Sequence, residues 1–151
     1  MSGSRSSDDP YDLARFLEAQ DGVYAQALAE LQRGTKYSHW MWFVFPQLDG
    51  LALSSTASRY AIKSLDEARA YLAHPVLGAR LQACAEAVLA VQGRSATQIL
   101  GTPDDLKLRS CATLFSLVSA PGSVFEQVLV KYYGGGRDRL TLRLLGLDEP
   151  V

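Results

Sequence analysis

Ser38-His39-Trp40-Met41-Trp42-Phe43-Val44-Phe45-Pro46-Gln47-Leu48 is the stretch on which the fold class turns. From Trp40 to Phe45 every side chain is apolar. Neither the two-residue alternation of a half-buried strand nor the 3.6-residue period of an amphipathic helix is present, so the segment is buried all round, as a core strand or a short core helix. The flanking sequence offers no strand partner, and the segment is read as a buried helix ended by Pro46. Two tryptophans, two phenylalanines and a methionine in seven residues are costly to leave in water, so at least one tryptophan belongs in the core. A second reading attaches to the polar ends, His39 and Gln47. Aromatic walls with a few fixed polar groups are the usual make-up of a small-ligand site, and an amide closing a buried run must find partners.

Outward from this segment the chain is punctuated by helix signals. Asp9 before Pro10 is a cap residue followed by proline at the first helical position. Val23, Ala27, Leu28 and Leu31 form an apolar stripe stopped by Gly34. Ser64 with Glu67 and Ser123 with Glu126 have capping-box spacing. His74-Pro75 breaks one helix and starts another, which carries Leu77, Leu81, Cys84, Ala85 and Val88. Thr102-Pro103-Asp104-Asp105 repeats the start signal, with acids suited to the helix dipole. Gly134-Gly135-Gly136 separates the helix through Tyr132 from a last one near Arg137 to Leu145, where Leu140-Thr141-Leu142-Arg143-Leu144 alternates and keeps a strand open. The pattern predicts an all-α fold: one compact domain over 9–147, built of about eight short helices, behind a disordered lead at 1–8.

Composition sets the outer bounds. The 151 residues are 48% hydrophobic and 21% charged, with a formal charge of −1, so no global field draws nucleic acid or an anionic membrane. Aromatics are not interleaved with basic residues as in single-strand nucleic-acid binders. No stretch has the roughly 18 apolar residues of a membrane span, and the first seven residues lack a signal core. Cytoplasmic localisation is expected. The two cysteines, Cys84 and Cys111, are read as buried thiols. With two histidines and no metal-ligand spacing, neither a metal site nor a cofactor is implied.

Two further segments have chemical potential. Asp104 to Ser110 places Lys107 and Arg109 at a helix start, where free N–H groups favour anions and the two aspartates oppose them. Lys131 to Asp138 contains three glycines that would let a backbone approach a ligand, or form an ordinary turn, without phosphate-loop spacing.

Taken together, the run His39 to Leu48, Tyr60-Ala61-Ile62, Ala70 to Leu81, Pro103 to Leu108 and Thr113-Leu114-Phe115 resemble the bacterial domain-of-unknown-function family eighteen-ten. That family often carries the name "calpastatin". Calpain inhibition would need extended, disordered repeats, whereas this chain is apolar and not repetitive. Ala52 stands where the resemblance leads one to expect glycine.

The order of parts also resembles, more distantly, NADAR, the YbiA-like family whose members cleave N-glycosidic bonds in riboflavin intermediates or remove ADP-ribose from guanine. The corresponding parts are Trp42 to Pro46, Ser55 to Tyr60, Lys107 to Phe115 and Tyr133 to Leu144. The glutamate of that family's Ser-Glu-His-Tyr motif has no counterpart before Tyr60, where Ala57, Ser58 and Arg59 stand. The resemblance implies a nucleotide or ADP-ribose-type ligand, with N-glycosidase chemistry on ADP-ribosyl or ribosyl-phosphate substrates. His39 and Gln47 would hydrogen-bond a ribose or base, and Trp42 or Tyr60 would give a stacking face. Lys107 and Arg109 would meet a phosphate, helped by the helix N-terminus, and Asp138 would activate water. The alternative is a non-catalytic helical interaction domain, such as a homodimer. Convergence of these residues on one concave site favours the first reading and dispersal the second.

Overall fold

A computed structural model describes residues 9–51 and 54–147. The expectations about the lead at 1–8 and about Ala52 lie outside the described residues. Among the described residues ten helices follow one another: α1 (Ala14–Gln20), α2 (Tyr24–Gln32), α3 (Met41–Val44), α4 (Ser55–Arg59), α5 (Leu65–Ala73), α6 (Leu77–Ala90), α7 (Ala96–Leu100), α8 (Asp104–Ser116), α9 (Val124–Tyr133) and α10 (Arg139–Leu144). The all-α reading holds. The two helices beyond the expected eight are α4 and α7, each five residues long and too short to show a periodic stripe. Their caps are the visible signal: Ser54 Oγ accepts from the Ala57 N–H, and Ser95 with Gln98 forms a complete capping box.

The two longest helices, α6 and α8, organise the core. α6 packs against α2, α5 and α9, and α8 packs against α5, α7, α9 and α10. From Ser110 to Ser116 every residue of α8 is buried. A chain of rings runs through the middle: Phe16 meets Tyr71 at 5.0 Å, Tyr71 meets Phe115 at 5.5 Å, and Phe115 meets Phe125 at 5.7 Å. Cys84 and Cys111 are buried free thiols, and burial pushes the Cys84 thiol up to about 12.

The aromatic segment resolves into two conformations. Met41–Val44 is a single helical turn, with Trp40 before it almost wholly buried. After Pro46 the chain is extended and makes a one-residue parallel bridge, Leu48 to Ile62. There the Ile62 N–H donates to Gln47 O at 2.9 Å and the Asp49 N–H donates to Ile62 O at 2.8 Å. The strand partner missing from the sequence reading is thus a single residue, which has no periodic signature.

Three start signals act differently from expectation. Asp9 caps the Leu13 and Ala14 N–H groups, three and four residues beyond the proline, because Pro10–Asp12 is taken up by a turn with Asp12 at φ +52°. Ser64 and Ser123 cap Glu67 and Glu126, but those glutamates accept from the N–H groups of Lys63 and Gly122, one residue upstream. Residues 140–144 belong to α10. The strand alternative fails: among the described residues there is no strand for them to pair with, and Leu140 and Leu144 share one half-exposed helix face instead. No described helix is long and apolar enough to cross a membrane.

Candidate functional site

A cleft of about 520 Å³ lies where five separate parts of the chain meet. Trp42 comes from α3 and Gln47 from the extended chain after Pro46. Leu51 and Ser54 come from the approach to α4. Pro103, Leu106, Lys107 and Ser110 form one face of the first turns of α8. Asp138 and Leu140 come from the start of α10. Its size and its mix of apolar walls and few polar groups are those of a small-ligand site.

The spacing 103, 106, 107, 110 is one face of a helix. It explains which basic residue of α8 enters the cleft and which does not. Lys107 lies on that face. Its ammonium stands 3.9 Å from the centre of the Trp42 ring and 3.0 Å from Asp104 Oδ1. The second Asp104 oxygen is 2.8 Å from Lys36 Nζ, and Lys36 in turn lies 5.1 Å from the Trp40 ring. All three charged side chains are less than one-fifth exposed. Burial alone would raise the Asp104 pKa, but hydrogen bonds and charge from Lys36 and Lys107 outweigh it and hold the carboxyl below its ordinary value. Two ammonium groups share one carboxylate, so the trio has a net positive charge beside the cleft.

Arg109 does not line the cleft. Its Nε donates to Gly136 O at 2.9 Å and its Nη2 to Arg137 O at 3.3 Å. The expected phosphate contact is therefore replaced by a structural one: the guanidinium holds the glycine turn onto α8. That turn needs its glycines. Gly134 and Gly135 have φ of +62° and +81°, and a Cβ on Gly136 would lie 2.7 Å from Arg109 Nη2. Tyr133 Oη donates to Asp105 O, and the Asp138 N–H donates to Thr113 Oγ1 at 2.8 Å. These bonds bring Asp138 to the cleft.

Asp138 is the N-cap of α10. Its Oδ2 accepts from the Thr141 N–H at 2.9 Å and the Thr141 hydroxyl at 2.5 Å. Its other oxygen accepts no hydrogen bond from a described residue. It is the sole carboxylate lining the cleft among the described residues.

The remaining expected residues divide. Tyr60 lines a small inner chamber that shares Trp42 and Gln47 with the cleft. Its ring packs on Phe43 at 5.4 Å and under Arg59 at 5.5 Å, so it is not a free stacking face. The Trp42 face beneath Lys107 is likewise covered. His39 is exposed and outside the cleft: Trp40 next to it turns inward to donate its indole N–H to Glu30, leaving His39 on the surface. The helix N-terminus offers little to an anion, because the N–H groups of Asp105, Leu106 and Lys107 already donate to Gly101 O and Pro103 O. Among the described residues no cluster of three or more His, Cys, Asp or Glu side chains could hold a metal.

Sequence reasoning missed Lys36, whose meaning depends on Asp104 far along the chain, and two buried carboxylates. Glu67 pairs with Arg15 at 2.7 Å, while Arg15 also donates to four backbone carbonyls. Glu30 accepts from Trp40 Nε1, the Tyr37 and Ser38 N–H groups, the Ser38 hydroxyl and Gln26. Glu30 did leave a signal, since it falls on the same helix face as Val23, Ala27 and Leu31.

A family model described as "Protein of unknown function (DUF1810)" matches residues 10–145. The crystal structure of the conserved hypothetical protein Rv1873 from Mycobacterium tuberculosis is similar at 54% identity, covering 91% of this chain and 99% of that one, with a TM-score of 0.90. No functionally curated protein matches in sequence.

Proposed function

The chain belongs to the DUF1810 family, and from that premise we propose that it binds a small anionic, nucleotide-like ligand in the α3–α8–α10 cleft. The observation that carries this reading is the meeting of Trp42, Gln47, Lys107 and Asp138, drawn from four parts of the chain, around one cavity. The net positive Lys36–Asp104–Lys107 trio supports an anion, because a mostly buried excess charge is costly until it is paired. A phosphate against Lys107 would supply that pair, and the open Asp138 oxygen would accept from sugar hydroxyls. The distant NADAR-like order of parts points the same way, by analogy.

If the bound ligand is cleaved at an N-glycosidic bond, Asp138 is the residue for the water. Its carboxylate would take a proton as the water oxygen bonds to the anomeric carbon, and the C–N electron pair would leave with the base. The test is calorimetric titration with ADP-ribose, NAD and ribose 5-phosphate. Lys107→Ala should weaken binding of a phosphate ligand about tenfold or more. Absence of binding by the whole panel overturns the cleft reading. Turnover that survives Asp138→Asn removes the carboxylate from catalysis while leaving the cleft.

A further inference from the structure

Gln47 is placed with unusual firmness for a side chain that takes no hydrogen bond from any described residue. It is 8% exposed, so more than nine-tenths buried. Pro46 fixes the chain before it, and its own backbone carbonyl is locked to the Ile62 N–H. Its side chain lines both the cleft and the inner chamber, which has only about 10 Å³ of free space, with Trp42, Ala57 and Tyr60 around it. A carboxamide presents two donors and an acceptor, and among the described residues no buried side-chain N or O is left without a partner, so the Gln47 amide is a cleft-lining group and not a stranded one. The neighbouring polar groups are engaged elsewhere: Ser54 Oγ accepts from the Ala57 N–H, and Ser110 Oγ donates to Leu106 O.

Building on the cleft reading, we propose that Gln47 is the specificity-determining residue of the site and reads the edge of a planar ring. A carboxamide offers its N–H and its C=O side by side in one plane. The edge that satisfies both carries an acceptor next to a donor, as in the lactam of a nucleobase. The chamber beyond has room for roughly one heavy atom or one water, enough for an exocyclic oxygen but not for a larger substituent. The ligand class is an anionic ring compound with an unsubstituted acceptor–donor edge, of which the lactam is the form tested: the anion at Lys107, the ring edge at Gln47.

The experiment compares uridine 5′-monophosphate, its 3-methyl derivative and ribose 5-phosphate by calorimetry on the whole protein and on Gln47→Leu. The side-chain amide resonance of Gln47 is followed in parallel. Uridine monophosphate should bind about tenfold tighter than either comparison compound and shift that resonance. In Gln47→Leu, checked for an unchanged melting curve, the ratio should fall to near one. If ribose 5-phosphate binds and the ring adds nothing, or the preference survives in Gln47→Leu, the ring-edge assignment is overturned and the cleft reading stands. If none of the three binds, the ring-edge assignment falls, and the cleft reading falls with it only if ADP-ribose and NAD fail to bind as well.

Discussion

Glu30→Ala is expected to lower the unfolding free energy by about 4 kcal/mol or more at neutral pH, a large share of the roughly 5–15 kcal/mol of a domain. Glu30 is 1% exposed. Its removal strands the Trp40 indole N–H and the Tyr37 and Ser38 N–H groups, each facing a carboxylate oxygen at 2.8–3.1 Å. Each buried donor left unpaired costs about 1–3 kcal/mol. The same geometry gives a pH signature. Burial by itself would raise the Glu30 pKa, but hydrogen bonds from the Ser38 hydroxyl, the two backbone N–H groups and Trp40 outweigh it and bring the pKa from 4.5 down to about 2. A carboxyl depressed in the folded state contributes stability that is fully present above its unfolded pKa and is lost as pH falls toward the folded one. The stability gap between the protein and Glu30→Gln should therefore be constant above pH 4.5 and shrink by about 2–3 kcal/mol on going down to pH 2. Urea titrations at fixed pH values measure it, and a gap independent of pH would contradict the assignment.

Gly78→Ala should destabilise the fold by roughly 3 kcal/mol or more, at the upper end of the overpacking range. A Cβ at this position would lie 2.0 Å from the Leu72 carbonyl oxygen and 2.9 Å from its carbonyl carbon. The obstacle is backbone, so no rotamer change relieves it. α5 and α6 would have to separate, and the contacts of α5 with α8 would be disturbed with them. Helix propensity argues in the opposite direction, since alanine is better than glycine inside a helix by about 1 kcal/mol. The sign of the change in melting temperature decides: a rise would mean that the two helices are not in contact here.

These two residues also mark what the amino-acid sequence conveys. Most helices were legible because their caps and stripes are local: Ser64, Ser123 and Gly134 act within a few residues of where they stand. A core tryptophan was legible because a fully apolar segment has nowhere else to go, though the sequence did not say that Trp40 rather than Trp42 would fill the place. The one-residue bridge at Ile62 and the short helices α4 and α7 were not, because each is smaller than the window over which a period can be recognised. Within the site, Trp42, Gln47, Lys107 and Asp138 could be grouped only through a resemblance in the order of parts to NADAR, which the family match does not extend to. Their actual neighbours depend on tertiary pairing. Lys36 reaches Asp104 across 68 positions, and Arg109 is drawn away by the carbonyl of Gly136, which no pattern near Arg109 announces.

Titration of the ¹⁵N-labelled protein with millimolar ribose 5-phosphate, followed residue by residue in amide spectra, reads the site without assuming any reaction. The perturbed resonances should cluster at the Trp42 indole, the Gln47 region, Leu106 to Ser110 and Asp138, and the same titration of Lys107→Ala should leave them largely unmoved. Perturbations centred elsewhere, such as on α2 and α6, or no perturbation at all, would contradict the assignment of this cleft as the binding site.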